Sequence, residues 1–250
     1  MLPKVESMNL VIDIGNTLQK IGIFSDKGEL IFHQACPAIT LDKWQELIEK
    51  HHIRHTILSS VVKEETEIEQ LLKQTTHYIP FNQHTALPIT ILYNHPESLG
   101  LDRIANAVAA YSRFPQENIL SIQAGSCLVY DFIDDKGNYR GGAISPGINM
   151  RFKALHTFTG KLPQFNIREI DFRIGNTTQQ SIESGVINGV IYEINGFMEH
   201  YKREMPGVKV LISGGDSDYL QKSIKSTIFV GSNFILYGLH EILKFNVEKM

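Results

Sequence analysis

The residues best placed to do chemistry open the chain. A short apolar run from Leu10 ends in Asp13-Ile14-Gly15-Asn16-Thr17, and an extended pattern resumes from Lys20 to Phe24. A strand that turns straight back into a second strand gathers backbone N–H groups and short polar side chains around one concavity, a shape that holds phosphate oxygens. Within it Gly15 lets a ligand approach the main chain, Asn16 and Thr17 can donate hydrogen bonds, and Asp13 can hold a water on Mg²⁺. The same residues also suit an Asx-type hairpin turn with no ligand. A second glycine element, Gly214-Gly215, follows the apolar run Val208 to Ser213. A glycine pair there lets a nucleotide lie against the backbone, or simply makes a tight strand-to-helix turn.

Gly100-Leu101-Asp102-Arg103 stands where an Ala-rich segment without Gly or Pro begins a helix running to Arg113. Free N–H groups and the dipole favour an anion at that end. Asp102 is then either a helix-terminal carboxylate or a base that accepts a substrate hydroxyl's proton, and Arg103 either a solvated charge or a fork for carboxylate or phosphate oxygens. If the reaction is phosphoryl transfer, its loose transition state makes Asp102 mainly an orienting group. Gly141-Gly142-Ala143-Ile144-Ser145-Pro146-Gly147 precedes another helix, and this density of Gly and Pro implies a close backbone approach, to a ligand or to another helix. The ten histidines lack metal-ligand spacing, and Cys127 and Ser126 have no evident base, so zinc and nucleophilic triads are unsupported.

The elements that must position these residues begin with a three-stranded antiparallel meander: Leu10 to Asp13, Lys20 to Phe24, a turn at 25–29, and Leu30 to His33. A helix (Thr40 to His51, capped by Thr40 or Asp42), a strand (Thr56 to Val62) and a helix (Glu64 to Gln74) follow. That alternation implies parallel strands with crossover helices. The second half repeats the opening: Ile119 to Ile122, Gln123-Ala124-Gly125-Ser126-Cys127, Leu128 to Ile133, a turn at 134–138, and a strand into Gly141-Gly142. Gly15 and Gly125, 110 residues apart, fall at equivalent points. The repeat implies two similar α/β domains, 1–116 and 117–250. A helix at Asn149 to Leu155, an irregular stretch to Gly175, a long helix from Thr178 to about Tyr201, a strand at Val208 to Ser213 and a helix from Ser232 complete the chain. The 42% hydrophobic and 20% charged residues suit globular protein, and a net charge of −3 leaves no cation excess for nucleic acid. With two cysteines, no signal-peptide core and no run of about 20 apolar residues, the expected compartment is the cytoplasm.

In order and spacing, Asp13 to Thr17, Tyr93-Asn94-His95-Pro96 with Gly100 to Arg103, and Gly141 to Gly147 resemble the type III pantothenate kinase family. Further matches are Leu162-Pro163, Thr178 with Ile182, Ser184 and Gly185, and Ile212 to Gly215. The resemblance implies a fold of the acetate and sugar kinase, heat-shock chaperone and actin superfamily: two ribonuclease-H-like domains, each a mixed sheet with flanking helices, around an interdomain cleft. It implies that ATP phosphates lie along Asp13, Ile14, Gly15, Asn16, Thr17, Leu18, Gln19 and Lys20, with Ser126, Gly214 and Gly215 also on the nucleotide. Asp102 would be the base; Tyr93, Gly100, Leu101, Asp102 and Arg103 would contact pantothenate, and Thr178 would reach in from the partner of a homodimer. Asp13 would serve Mg²⁺. The chain departs from the family at Gln123-Ala124-Gly125-Ser126-Cys127, where Asp-x-Gly-Thr-Ala is usual and the Asp holds a monovalent cation. Gln123 offers K⁺ or NH₄⁺ only a neutral carbonyl, while Ser126 keeps a hydroxyl. Two rivals stand beside the kinase. A non-catalytic relative acting as an accessory protein is supported by Gln123, and a ribonuclease-H-like nuclease needs clustered carboxylates that only Asp13, Asp102 and Asp131 could supply.

Overall fold

The computed structural model describes residues 7–15, 18–60, 66–224, 229–231 and 233–249. The chain divides into two compact units, 114–233 and the remainder, so the last helix groups with the first unit. The bounds expected from the repeat, 1–116 and 117–250, place that helix in the second domain instead.

In the first unit, β1 (Met8–Ile14), β2 (Gln19–Ser25) and β3 (Leu30–Cys36) form the meander, and β4 (Ile53–Ser60) and β5 (His77–Pro80) add in parallel to give the order β3-β2-β1-β4-β5. Alternation decides what each face does. Leu10, Ile12, Ile14, Ile21 and Ile23 bury themselves against Trp44, Leu47 and Ile48 of α1 (Leu41–Lys50) and Ile68 and Leu72 of α2 (Glu67–Thr75). Thr40 is the N-cap residue of α1. A capping box between Thr66 and Glu69 fixes the start of α2; the expected strand end at Val61 and Val62 and helix start at Glu64 lie outside the described residues. The opposite face carries α8 (Phe234–Val247), with His240 stacked on Phe24, and α8 packs in turn on α3 (Leu101–Arg113), whose alanines permit the approach. A two-residue strand, β6 (Thr90–Ile91), and a 3₁₀ turn at Pro96–Ser98 precede α3.

The second unit repeats the plan. β7 (Ile119–Ala124), β8 (Cys127–Ile133) and β9 (Asn138–Pro146) are antiparallel, β10 (Lys209–Ser213) joins β7 in parallel, and β11 (Phe229–Gly231) joins β10 in parallel. The order β9-β8-β7-β10-β11 is that of the first sheet. Leu120, Ile122, Leu128 and Tyr130 pack on Phe152 of α4 (Ile148–Phe158) and on Val190 and Ile194 of α6 (Gly189–Glu204). The single helix expected from Thr178 is α5 (Thr178–Glu183), a π-turn at Ser184–Asn188, and α6. At this turn Ser184 donates its hydroxyl to Arg173 O and Asn188 Nδ2 donates to Phe172 O at 3.1 Å, which ties the preceding loop onto the helix. α7 (Ser217–Gln221) follows β10.

Candidate active site

Asp13 ends β1, and the sheet register sets it directly across from Lys20 on β2 and Ser59 on β4. Its carboxylate is buried and lies 4.0 Å from Lys20 Nζ. Burial pushes the Asp13 carboxyl up to about 6; Lys20 pulls it down, the Asp102 carboxylate pushes it further up, and a hydrogen bond with Ser59 lowers it. Ile14 and Gln19 face the other side of the sheet, so they can serve a ligand here only through the main chain. Gly15 N–H donates to Leu18 O at 3.1 Å, and the Leu18 side chain is exposed. Asn16 and Thr17 lie outside the described residues.

Asp102 comes to Asp13 on the first turn of α3, with Leu101 half-buried before it. The lead-in is held firmly: Leu99 is buried, Gln83 Nε2 donates to Leu99 O at 2.9 Å, and Asn106 Nδ2 donates to Asp102 O at 2.8 Å. The Asp102 side chain is exposed and folds back over Gly100, where an added Cβ would stand 2.5 Å from Oδ1; any larger residue would displace the carboxylate. Arg103 is buried, with its guanidinium carbon 6.0 Å from the centre of the half-buried Tyr93 ring. Asp13, Lys20, Tyr93, Gly100, Asp102 and Arg103 all belong to the first unit.

In the second unit the end of β7 meets the Gly214-Gly215 turn main chain to main chain. Asp216 N–H donates to Ala124 O at 3.1 Å and Ser217 Oγ to Gly214 O at 2.7 Å. Gly214 has φ +99, and a Cβ there would lie 2.1 Å from Ala124 O, so no side chain fits. Both glycines and Ser126 are exposed, and Ser126 O accepts from Gly147 N at 3.0 Å. Ser213 Oγ is buried with no partner among the described residues. Its neighbour in register is the half-buried Gln123. Thr178 stands elsewhere: as the first residue of α5, after Thr177 caps the helix by accepting from Gln180 N at 3.2 Å, it lines an open cavity of about 1060 Å³ beside α4.

No cluster of three or more His, Cys, Asp or Glu suited to a metal occurs among the described residues. A site with one buried carboxylate and a second nearby still fits Mg²⁺, which keeps most of its waters and takes one or two carboxylates plus phosphate oxygens. Sequence reasoning missed the supports Ser59, Gln83 and Asn106. Ser59 was recoverable only from the β1–β4 register, which pairs it with Asp13.

A family model described as type III pantothenate kinase matches residues 9–200. Curated relatives named type III pantothenate kinase include one from Bacteroides fragilis, 39% identical over 240 residues, covering 96% of this chain and 98% of the relative. Another, from Cytophaga hutchinsonii, is 41% identical over 241 residues, covering 96% and 100%. Among solved structures, a Campylobacter jejuni protein assigned to the Baf family of transcriptional activators superposes with TM-score 0.62 at 21% identity, covering 96% of this chain and 99% of its own. The ADPNP-bound activator of 2-hydroxyisocaproyl-CoA dehydratase from Clostridium difficile gives 0.51 at 12%, covering 97% and 95%. These two show the fold alone. The match over most of the chain and the relatives at 39–41% identity settle the assignment: this chain belongs to the type III pantothenate kinase family.

Proposed function

We propose that the chain transfers the γ-phosphoryl group of ATP to the primary hydroxyl of pantothenate, giving 4′-phosphopantothenate, the first step toward coenzyme A. The observation that carries this reading is Asp102, an exposed carboxylate at the start of α3 whose charge is felt by the buried Asp13 at the end of β1. Asp102 accepts the hydrogen bond of the substrate hydroxyl, fixes its lone pair toward the phosphorus, and takes the proton as the new O–P bond forms. Arg103, buried beside it, steadies the charge on the transferring group. The backbone from Asp13 to Lys20, the Lys20 ammonium, Ser126 and the exposed main chain of Gly214 and Gly215 receive the phosphates and nucleotide. Mg²⁺ held on the Asp13 side would neutralise the charge of the phosphate oxygens. Gln123 gives a monovalent cation little hold, since its amide carries no charge.

Thr178 completes the pantothenate pocket of a partner subunit in a homodimer. Phe158 and Ile174, 85% and 89% exposed, are apolar side chains that a second copy would cover. The cytoplasm is the compartment that suits the reaction and the two free cysteines, Cys36 and Cys127. A coupled assay of ADP release tests the function: release that requires pantothenate, with phosphopantothenate detected by mass, supports it. ADP release indifferent to pantothenate would overturn it.

A further inference from the structure

Pantothenate carries its primary hydroxyl and its carboxylate at opposite ends. Arg103 sits beside the base on α3, and a second cation would serve a carboxylate at the far end of the ligand. The cavity that carries Thr178 holds one. Arg151 of α4 is the only charged side chain among the described residues lining it; the rest of the wall is mainly apolar (Leu155, Leu162, Ile182, Val186) or hydroxylic (Thr178, Ser181), with one amide, Asn176. That mixture matches a ligand with a dimethyl group, a hydroxyl, an amide and one anionic end.

Arg151 is also held in place. Its Nε donates to Pro146 O at 2.8 Å, and its Nη2 donates to Ser145 Oγ at 3.3 Å and to the Glu193 carboxylate. Glu193 accepts in turn from Tyr130 OH at 3.0 Å and from the Ser145 hydroxyl. Burial would raise the Glu193 carboxyl, but hydrogen bonds from Ser145, Arg151 and Tyr130 and the Arg151 charge bring it below its ordinary value, so it stays ionised. Two of the three guanidinium nitrogens are thereby committed, and among the described residues Nη1 has no recorded acceptor. An arginine whose rotamer is fixed from behind, with one nitrogen left to donate, loses little freedom on meeting an anion.

We infer that Arg151 reads the carboxylate of pantothenate in this cavity, with Glu193, Ser145 and Tyr130 as the residues that position it. The inference rests on the function proposed above and on Thr178 serving the substrate. The test compares kcat/KM for pantothenate and for pantothenyl alcohol, whose carboxylate is a neutral CH₂OH, in the wild type and in Arg151→Met combined with Glu193→Gln. The double change avoids leaving Glu193 buried without its cation. The wild type should prefer pantothenate by about 10- to 100-fold, the range of a hydrogen bond to a charged group, and the double variant should lose that preference through KM for pantothenate while its rate on the alcohol stays near wild type. If the double variant does not fold, Arg151→Lys gives the same readout, with a preference reduced several-fold at an unchanged melting temperature. An unchanged ratio in the variants, or equal losses on both substrates, would overturn the inference and leave the kinase reading standing. A wild type that ignores pantothenate altogether would sink both.

Discussion

His240 makes the stability of the first unit fall with acid in a way that can be isolated. It is 2% exposed on α8, its ring stacked on Phe24 with centroids 4.2 Å apart. Asn9 Nδ2 donates to its Nε2 at 3.4 Å, while Asn9 Oδ1 lies 3.1 Å from His55 Nδ1; with the amide in this orientation Nε2 is an acceptor, the role of a neutral ring. Glu241, 3.9 Å from Nδ1, is too far to hydrogen-bond a charged ring. Burial, aided by the Lys244 charge, pushes the His240 imidazole down from 6.5 to about 4. Unfolded chains therefore take up a proton below pH 6.5 that the folded state refuses until about pH 4, so the stability is complete above 6.5 and lost as pH falls toward 4. In full this is worth about 3 kcal/mol, of which about 2 kcal/mol disappears between pH 7.5 and pH 5.

Asp13 works against it. Its carboxyl is raised from 3.8 to about 6, so over the same interval the folded state binds the extra proton and gains about 1 kcal/mol as pH falls. The wild-type profile alone would then look nearly flat. Urea unfolding of wild type and His240→Gln at pH 7.5, 6 and 5 removes the shared contributions by difference. The stability advantage of the wild type should shrink by about 2 kcal/mol from pH 7.5 to pH 5. An advantage that does not change with pH would refute the buried, neutral histidine.

Two further outcomes follow from the site. Replacing a carboxylate by an amide beside a cation at ~4 Å forgoes on the order of 4 kcal/mol before desolvation is subtracted, so initial rates should depend little on K⁺ at constant ionic strength, and Gln123→Asp should make them more dependent. A steep, early-saturating K⁺ requirement in the wild type would contradict this. Mixing inactive Asp102→Asn with inactive Thr178→Val subunits should restore part of the activity, because one site of a mixed dimer keeps both residues; no recovery after verified subunit exchange argues against a shared site.

The meander, the Gly15 and Gly125 turns and the repeat between the halves were legible because each depends on neighbours in sequence: alternation, a turn residue, a glycine. The strands β5 and β11 were not. They have four and three residues, and both are recognised only by the parallel partner that completes them. The attachment of α8 to the first unit was equally hidden, since the side chains that dock it, His240 and Tyr237 on Phe24, lie over 200 residues from their partner. At the site, Asp13, Asp102 and Arg103 could be named from type and position, yet Gln19 turned out to face away from Asp13 because a strand's period of two sends neighbours to opposite sides. Glu193 gave no signal, as a glutamate on a helix is ordinary until Tyr130, Ser145 and Arg151 are seen to converge on it.

The central claim is that Asp102 handles the substrate hydroxyl. Its most direct test is the rate of pantothenate-dependent ADP formation by purified Asp102→Asn, measured alongside ATP binding and melting temperature. The side chain is exposed and the amide has the same shape, so fold and ATP affinity should hold while the rate falls by ~10²- to 10⁴-fold. A variant that binds ATP and turns over pantothenate at close to the wild-type rate would contradict the account.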